Sequence, residues 1–321
     1  MTDTTDTRET PAVLPDGAWP VMLTPLNADH SIDWAGVDAY TDWLIETGAA
    51  GLFAVALSSE MYDLTAAERT ALATRVVDRA AGRVPVVASS VAGGSQRDQV
   101  ESAARVADTG VSAVVLISSL VAGLADPESV WLDNAAAIVD GNPGVDFGIY
   151  ECPLPYKRLP SLDAVEWMAS SGRFTFYKDT SHTLATMTAR IERMSGSRLK
   201  LYNAAIGSLT PSLVAGASGL SGYAANLYPD LVAWLCEHYA DEPAAPVTAV
   251  QRLLTMAEHA VNLRYPVSAK FFTAASSRLD MLPVSRWKPE AIGDHEGLPL
   301  TQFADYVRDL DLPAGALSAT R

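Results

Sequence analysis

Only two cysteines, Cys152 and Cys236, occur in 321 residues, so there is no disulfide framework and no Cys-x-x-Cys pair for a metal or redox centre. A reducing, cytoplasmic setting is expected. Positive charge is also scarce: 23 Lys and Arg against 38 Asp and Glu give a formal net charge of -15. Such a field repels phosphate backbones and anionic lipid surfaces, which argues against nucleic-acid and membrane partners. No uninterrupted apolar run reaches the roughly 18 residues of a membrane span. The opening MTDTTDTRETPAVLPDG is polar and lacks the apolar stretch of a secretory signal. Residues 1–16 therefore read as a flexible tail on a soluble protein.

What is present is apolar residue in quantity, 49% of the chain, enough for a large buried core. It comes in eight short runs: Val21 to Leu23, Gly51 to Leu57, Val84 to Ala88, Ala113 to Ile117, Val145 to Tyr150, Phe174 to Lys178, Leu199 to Tyr202 and Ser218 to Ser221. Between them lie longer segments with apolar residues at helical spacing, such as Trp34 to Glu46, Ala66 to Ala80, Gln96 to Thr109 and Val130 to Val139. Helix punctuation agrees: Leu64-Thr65 stands three residues before Glu68, Gly82 follows Ala80 and Ala81, and Pro229 opens the last of these segments. Strands alternating with crossover helices predict a parallel sheet. A doubly wound open sheet has the same alternation, but no glycine-rich dinucleotide loop follows the first run. The expectation is an α/β fold, an eight-stranded parallel (β/α) TIM barrel over residues 17–241. A helical region follows over 242–321, clearest at Val250 to Leu263 and Val267 to Ser277.

In such barrels the chemistry gathers at the carboxyl ends of the strands. Lys178 closes the apolar run Phe174-Thr175-Phe176-Tyr177-Lys178, where desolvation should depress an amine toward a usable nucleophile. Tyr150 closes the preceding run, one β/α unit away, and a phenol beside an amine can relay protons. The residues alone leave a second reading open, in which Lys178 pairs with Asp179 or reaches solvent and Tyr150 only packs.

Longer motifs weigh on that choice. Leu23-Thr24-Pro25-Leu26 is followed by Ile32-Asp33, then by Ala56-Leu57-Ser58-Ser59-Glu60 with Leu64-Thr65 and Glu68-Arg69. Next come Gly82-Arg83-Val84-Pro85-Val86-Val87-Ala88, Tyr150-Glu151-Cys152-Pro153, Tyr177-Lys178-Asp179-Thr180-Ser181, and Ala215-Gly216-Ala217-Ser218-Gly219-Leu220-Ser221 through Asn226 and Pro229. This ordered series, from about Gly17 to about Pro289, resembles the dihydrodipicolinate synthase and N-acetylneuraminate lyase family of barrel aldolases. The resemblance implies a class I lyase, an aldolase or dehydratase. Lys178 would form a Schiff base with pyruvate or a longer 2-oxo acid, Tyr150 would shuttle protons, and no cofactor or metal would be needed. It implies that Ser58 and the amide of Ser59 hold the substrate carboxylate, and that Leu57, Ser119, Asn203, Ala204 and Leu220 belong to the substrate-binding part. It also implies a homotetramer, with an aldehyde as a second small-molecule partner.

Departures from the family pattern bear on substrate. Ile117-Ser118-Ser119-Leu120 lacks the family's relay tyrosine, for which Ser119 is the substitute offered, and Pro155 stands where the family has an arginine for a second carboxylate. Tyr202-Asn203-Ala204-Ala205 lacks the acidic pair that holds sugar hydroxyls in sialic acid lyases. With Leu57, Ala204 and Ala205 hint at a less polar distal pocket, with Glu151, His182, Lys157 or Arg158 as polar contacts. Lys270 reads as a helix residue in a subunit contact, Glu60 and Cys152 as structural, and His182 as a surface helix residue. Two alternatives stay open: a hydratase-aldolase acting on an apolar or aromatic ylidene-pyruvate, and a catalytically silent barrel that binds a 2-oxo acid.

Overall fold

Residues 13–241, 244–277 and 279–312 are described by the computed structural model; most of the tail expected over 1–16 and the end of the region expected over 242–321 lie outside them. Eight strands form one sheet: β1 Gly17–Ala18, β2 Leu52–Val55, β3 Val86–Ser90, β4 Ala113–Ile117, β5 Phe147–Tyr150, β6 Phe174–Asp179, β7 Lys200–Asn203 and β8 Gly219–Leu220. All pairs are parallel and follow chain order from β2 to β8, after which β8 pairs with β1. Parallel bridges from Ala18 to Ala49 and from Val21 to Phe53 close the ring, with Ala50 N donating to Ala18 O at 2.8 Å and Phe53 N to Pro20 O at 2.9 Å.

Among the described residues nine α-helices accompany the strands: α1 Trp34–Glu46, α2 Ala66–Ala80, α3 Gln96–Ala107, the short α4 Ser118–Val121, α5 Glu128–Asp140, α6 Leu162–Ser170, α7 Leu184–Arg193, α8 Leu209–Val214 and α9 Pro229–His238. Three more, α10 Ala245–Val261, α11 Val267–Ser276 and α12 Asp294–Asp309, share the barrel's apolar core through Val250, Leu254, Phe272 and Val307. The chain is thus the expected eight-stranded barrel with helices appended. Among the described residues no helix is long and apolar enough to cross a membrane.

The local signals work as their chemistry predicts. Thr65 caps α2, its hydroxyl accepting from Glu68 N at 3.2 Å while the Glu68 carboxylate accepts from Thr65 N at 2.8 Å. Strands β2 to β6 are buried at every residue because the barrel interior covers one face and the helices the other, which is why they read as continuous apolar runs. The first strand differs from the expected Val21 to Leu23: the regular ladder is Gly17–Ala18, and Val21 makes only an isolated bridge. Pro20 has no amide to donate, so a continuous ladder cannot run through it. At the β1–β8 seam the backbones nearly touch; a Cβ on Gly219, whose φ is +148°, would lie 1.9 Å from Gly17 O.

Aromatic rings fill the barrel below the strand ends. Trp19 lies 5.1 Å from Phe176, Phe53 lies edge-on to Phe176 at 5.7 Å, and Tyr202 stacks on Phe176 at 4.7 Å. This packed floor leaves the carboxyl ends of β5 and β6 as the first polar layer above it.

Candidate active site

Register brings the two central side chains together. Tyr150 pairs with Lys178 across β5 and β6, and both side chains point inward, as does Phe176 two residues earlier. The Lys178 Nζ sits 4.2 Å from the Tyr150 ring centroid and 5.6 Å from that of Phe53. Lys178 is only 4% exposed. Burial pulls its amine down to about 7, while Cys152 and then Glu258 act in the opposite sense.

Alternation explains why Asp179 does not neutralise it. Tyr177 and Asp179 point outward to the helix layer, where Arg190 of α7, 2% exposed, pairs with Glu151 at 2.6 Å and with Asp179. Glu151 also accepts from the Tyr177 hydroxyl at 2.7 Å and from Thr180 N at 2.8 Å. This buried network anchors the ends of β5 and β6. Its carboxylates are thereby committed to Arg190, and among the described residues Lys178 has no ion-pair partner.

The turn after β2, Leu57–Ser59, borders the same space. Ser58 is buried, and its Oγ accepts from the Tyr265 hydroxyl at 2.6 Å; that hydroxyl in turn accepts from Asn226 Nδ2 at 3.3 Å. Tyr265 therefore orients Ser58 from the turn before α11, and Tyr223 packs on it at 4.6 Å between ring centroids. Replacing Tyr265 with phenylalanine is expected to cost about 1–2 kcal/mol in urea unfolding, because a buried serine hydroxyl loses its donor. An unchanged midpoint would mean that this hydrogen bond holds nothing in place.

A cavity of about 190 Å³ opens above these groups, lined by Lys178, Tyr150, Leu57, Ser58 and Ala204 together with Tyr265, Tyr223 and Trp287. Five of the residues expected to be catalytic or substrate-binding thus meet in one place. The other four, Ser59, Ser119, Asn203 and Leu220, stand outside the lining. Ser59 N donates to Ala56 O at 3.1 Å, so the amide expected to hold a carboxylate is engaged within its own turn, and its Oγ accepts from Ala56 N at 2.6 Å. Ser119 Oγ donates to Leu154 O at 3.3 Å, Asn203 Nδ2 donates to Ser208 at 3.0 Å and Ser212 at 3.1 Å, and Leu220 is buried in the core.

Of the polar contacts considered, His182 and Lys157 line the cavity. His182 precedes α7 with φ +59°, in a loop and not in a helix, and burial followed by Lys157 lowers its imidazole. Lys157 donates to Thr180 O. Glu151 is buried on the opposite face of the strands, and Arg158 binds Gly123 O and Asp126 O. Lys270 is corrected most plainly: it is 0% exposed inside the chain and paired with Glu60 at 2.6 Å, not presented to another subunit.

Three contributors escaped the sequence reading. Tyr265 and Trp287 lie far along the chain from the motifs, where spacing carries no information. Glu258 did leave a signal, because it falls in the apolar stripe of α10 with Val250, Leu254, Ala257 and Val261. Burial raises its carboxyl to about 7, against the Ala224 amide and Lys178, and its Oε2 has no hydrogen-bond partner among the described residues.

The sequence profile of the Dihydrodipicolinate synthetase family matches residues 15–274. An uncharacterized DapA-like lyase of Halobacterium salinarum is 28% identical over 228 residues, covering 70% of this chain and 71% of the relative. The 4-hydroxy-tetrahydrodipicolinate synthase of Marinobacter nauticus is 25% identical over 292 residues, 90% of this chain and 94% of that one. Among solved structures, YagE from E. coli K12, a prophage protein of the dihydrodipicolinic acid synthase family in complex with pyruvate, superposes with a TM-score of 0.82 at 20% identity, covering 91% of this chain and 98% of that one. The chloride-inhibited dihydrodipicolinate synthase of Acinetobacter baumannii, complexed with pyruvate, gives 0.81 at 18% identity over 92% and 99%; at these identities the likeness shows the fold. With the profile spanning most of the chain, the protein belongs to the dihydrodipicolinate synthetase family and is an enzyme of its lyase type.

Proposed function

We propose that this lyase works through a Schiff base on Lys178, making or breaking a carbon–carbon or carbon–oxygen bond beside the iminium of pyruvate or a longer 2-oxo acid. The observation that carries the reading is a buried amine, without an ion pair among the described residues, pulled down to about 7 by desolvation and lying over a phenol ring at the edge of a cavity. A neutral amine attacks the 2-oxo carbon, the carbinolamine oxygen leaves as water, and the cationic imine draws electrons from the adjacent bond. Tyr150 supplies and recovers the protons. Burial keeps its hydroxyl protonated, so it can donate to the departing oxygen. Ser58, aligned by Tyr265, and Lys157 are the groups proposed to meet the substrate carboxylate. A cytoplasmic setting and a homotetramer belong to the same proposal and rest on cysteine usage and on the family resemblance.

Borohydride reduction in the presence of pyruvate, followed by intact and peptide mass spectrometry, tests this. A pyruvate-sized adduct on the Lys178 peptide is expected, and its rate of formation should fall as pH drops through about 7, where the amine becomes protonated. No adduct with pyruvate or longer 2-oxo acids would overturn the reading.

A further inference from the structure

The cavity around Lys178 does not end at its apolar wall. A second space, of about 370 Å³, adjoins it and shares Leu57 and Trp287 with it. Its other apolar walls are Tyr62, Leu120, Leu154 and Pro155. The charged groups at its edge are both acidic, Glu60 and Asp63, and no Lys, Arg or His lines it. The inner cavity, by contrast, carries Lys157 and His182 beside Thr180. Charge is thus divided: cations line the inner cavity, and among the described residues none lines the outer one, Lys288 over the Trp287 ring at 4.6 Å and Arg286 near Asp63 standing outside its lining.

Trp287 is fixed between the two. The Glu60 carboxylate accepts from Ser285 Oγ at 2.9 Å, Arg286 N at 2.6 Å and Trp287 N at 3.1 Å, while its other oxygen takes Lys270 Nζ at 2.6 Å. Glu60 follows directly on Ser58 and Ser59, so the turn that borders the amine also pins the segment carrying the indole. A side chain held by its own backbone in this way is a preorganised wall.

We infer that the outer cavity is the acceptor subsite, and that it takes the uncharged apolar or aromatic tail of an aldehyde, with Leu57 and Trp287 as the specificity-determining residues. The inference rests on the Schiff-base reading above. In the step it implies, the enamine that Lys178 forms with pyruvate attacks the aldehyde carbon. A carbon–carbon bond forms, the carbonyl π bond breaks, and the new alkoxide takes a proton from Tyr150. Water then hydrolyses the iminium, which returns the Lys178 amine and releases a 4-hydroxy-2-oxo acid; cleavage is the reverse. A tail bearing a second carboxylate is disfavoured because it would have to lie between apolar walls beside Asp63, and among the described residues no Lys, Arg or His side chain lines those walls.

The test is the rate of the pyruvate aldol reaction with acetaldehyde, hexanal, benzaldehyde and succinic semialdehyde, compared as kcat/KM in the wild type, Trp287→Ala and Leu120→Lys. Hexanal and benzaldehyde are expected to exceed acetaldehyde and the semialdehyde by roughly tenfold or more. Trp287→Ala should lower the apolar acceptors about tenfold more than acetaldehyde, and Leu120→Lys, which places a cation in the outer space, should shift preference toward the semialdehyde. A wild type that prefers the semialdehyde, or variants that change all four acceptors equally, would overturn the inference. Both results are read only where borohydride still traps pyruvate; an untrapped wild type sinks the Schiff-base reading, and the acceptor subsite with it.

Discussion

Lys178→Met is expected to abolish borohydride-trappable pyruvate, to lower lyase turnover by roughly four orders of magnitude or more, and to make the protein more stable. The first two effects follow from removing the proposed nucleophile, for which no nearby side chain substitutes; Lys157 is engaged with the Thr180 carbonyl. The third follows from linkage. The folded-state amine lies near 7 against 10.5 for an ordinary lysine, so between those pH values the unfolded chain binds more protons and stability rises with pH. Stability from this group is full above about 10.5 and is lost as pH falls toward 7, where the folded protein must accept a buried cation.

Methionine carries no such charge, so its advantage over wild type should be greatest below pH 7 and fade toward pH 10.5. Urea unfolding at pH 6 and pH 9 checks this, with an expected gap between the two advantages of about 3 kcal/mol. An advantage over wild type that is the same at both pH values would mean that the amine is not held neutral by burial. An active variant would mean that Lys178 is not the nucleophile. The pairing of lost activity with gained stability distinguishes a functional lysine from a structural one, because a lysine kept for packing or ion pairing gives up stability when replaced.

The opposite outcome is expected at the other buried lysine. Lys270→Met should destabilise the protein by about 3–5 kcal/mol in urea unfolding, since it leaves the Glu60 carboxylate buried without its counter-charge. The ammonium also donates to Val284 O at 2.7 Å, just before the segment that Glu60 holds. The double variant Glu60→Gln/Lys270→Met is expected to recover about half of the loss, because it removes both charges while an amide oxygen can still accept from the 285–287 backbone. The same single variant should loosen Trp287 and so flatten the preference among aldehyde acceptors. A cost below about 1 kcal/mol would show that the pair does not hold the segment in place.

These two lysines also mark the division between sequence and tertiary structure. Lys178 was legible because it ends an apolar strand, and strand order with period-two alternation is a local property that carries a side chain to the barrel mouth whatever the rest of the chain does. The barrel itself, the pairing of Tyr150 with Lys178 and the helix caps were readable for the same reason: each depends on residues within one β/α unit. Lys270 was not, because its partner Glu60 is 210 residues away, and a lysine on a helix looks the same in sequence whether it meets solvent, another subunit or a buried carboxylate.

Ser59, Ser119, Asn203 and Leu220 had positions at strand ends, yet where each side chain turned was settled by competing hydrogen bonds and packing in three dimensions. Tyr265, Trp287 and Glu258 enter from the region beyond the eighth strand, Glu258 on α10 and the two rings on the connections around α11, and the docking of that region depends on shape and not on any periodic pattern. The sequence by itself determined the layered scaffold, through hydrophobic periodicity, and put Lys178 and Tyr150 at neighbouring strand ends, while their catalytic reading rested on the resemblance of the longer motifs. Only the tertiary structure decided which distant rings enclose them, because burial of the amine, the adjacency of the inner and outer cavities and the charge along each wall are properties of surfaces that meet only after folding.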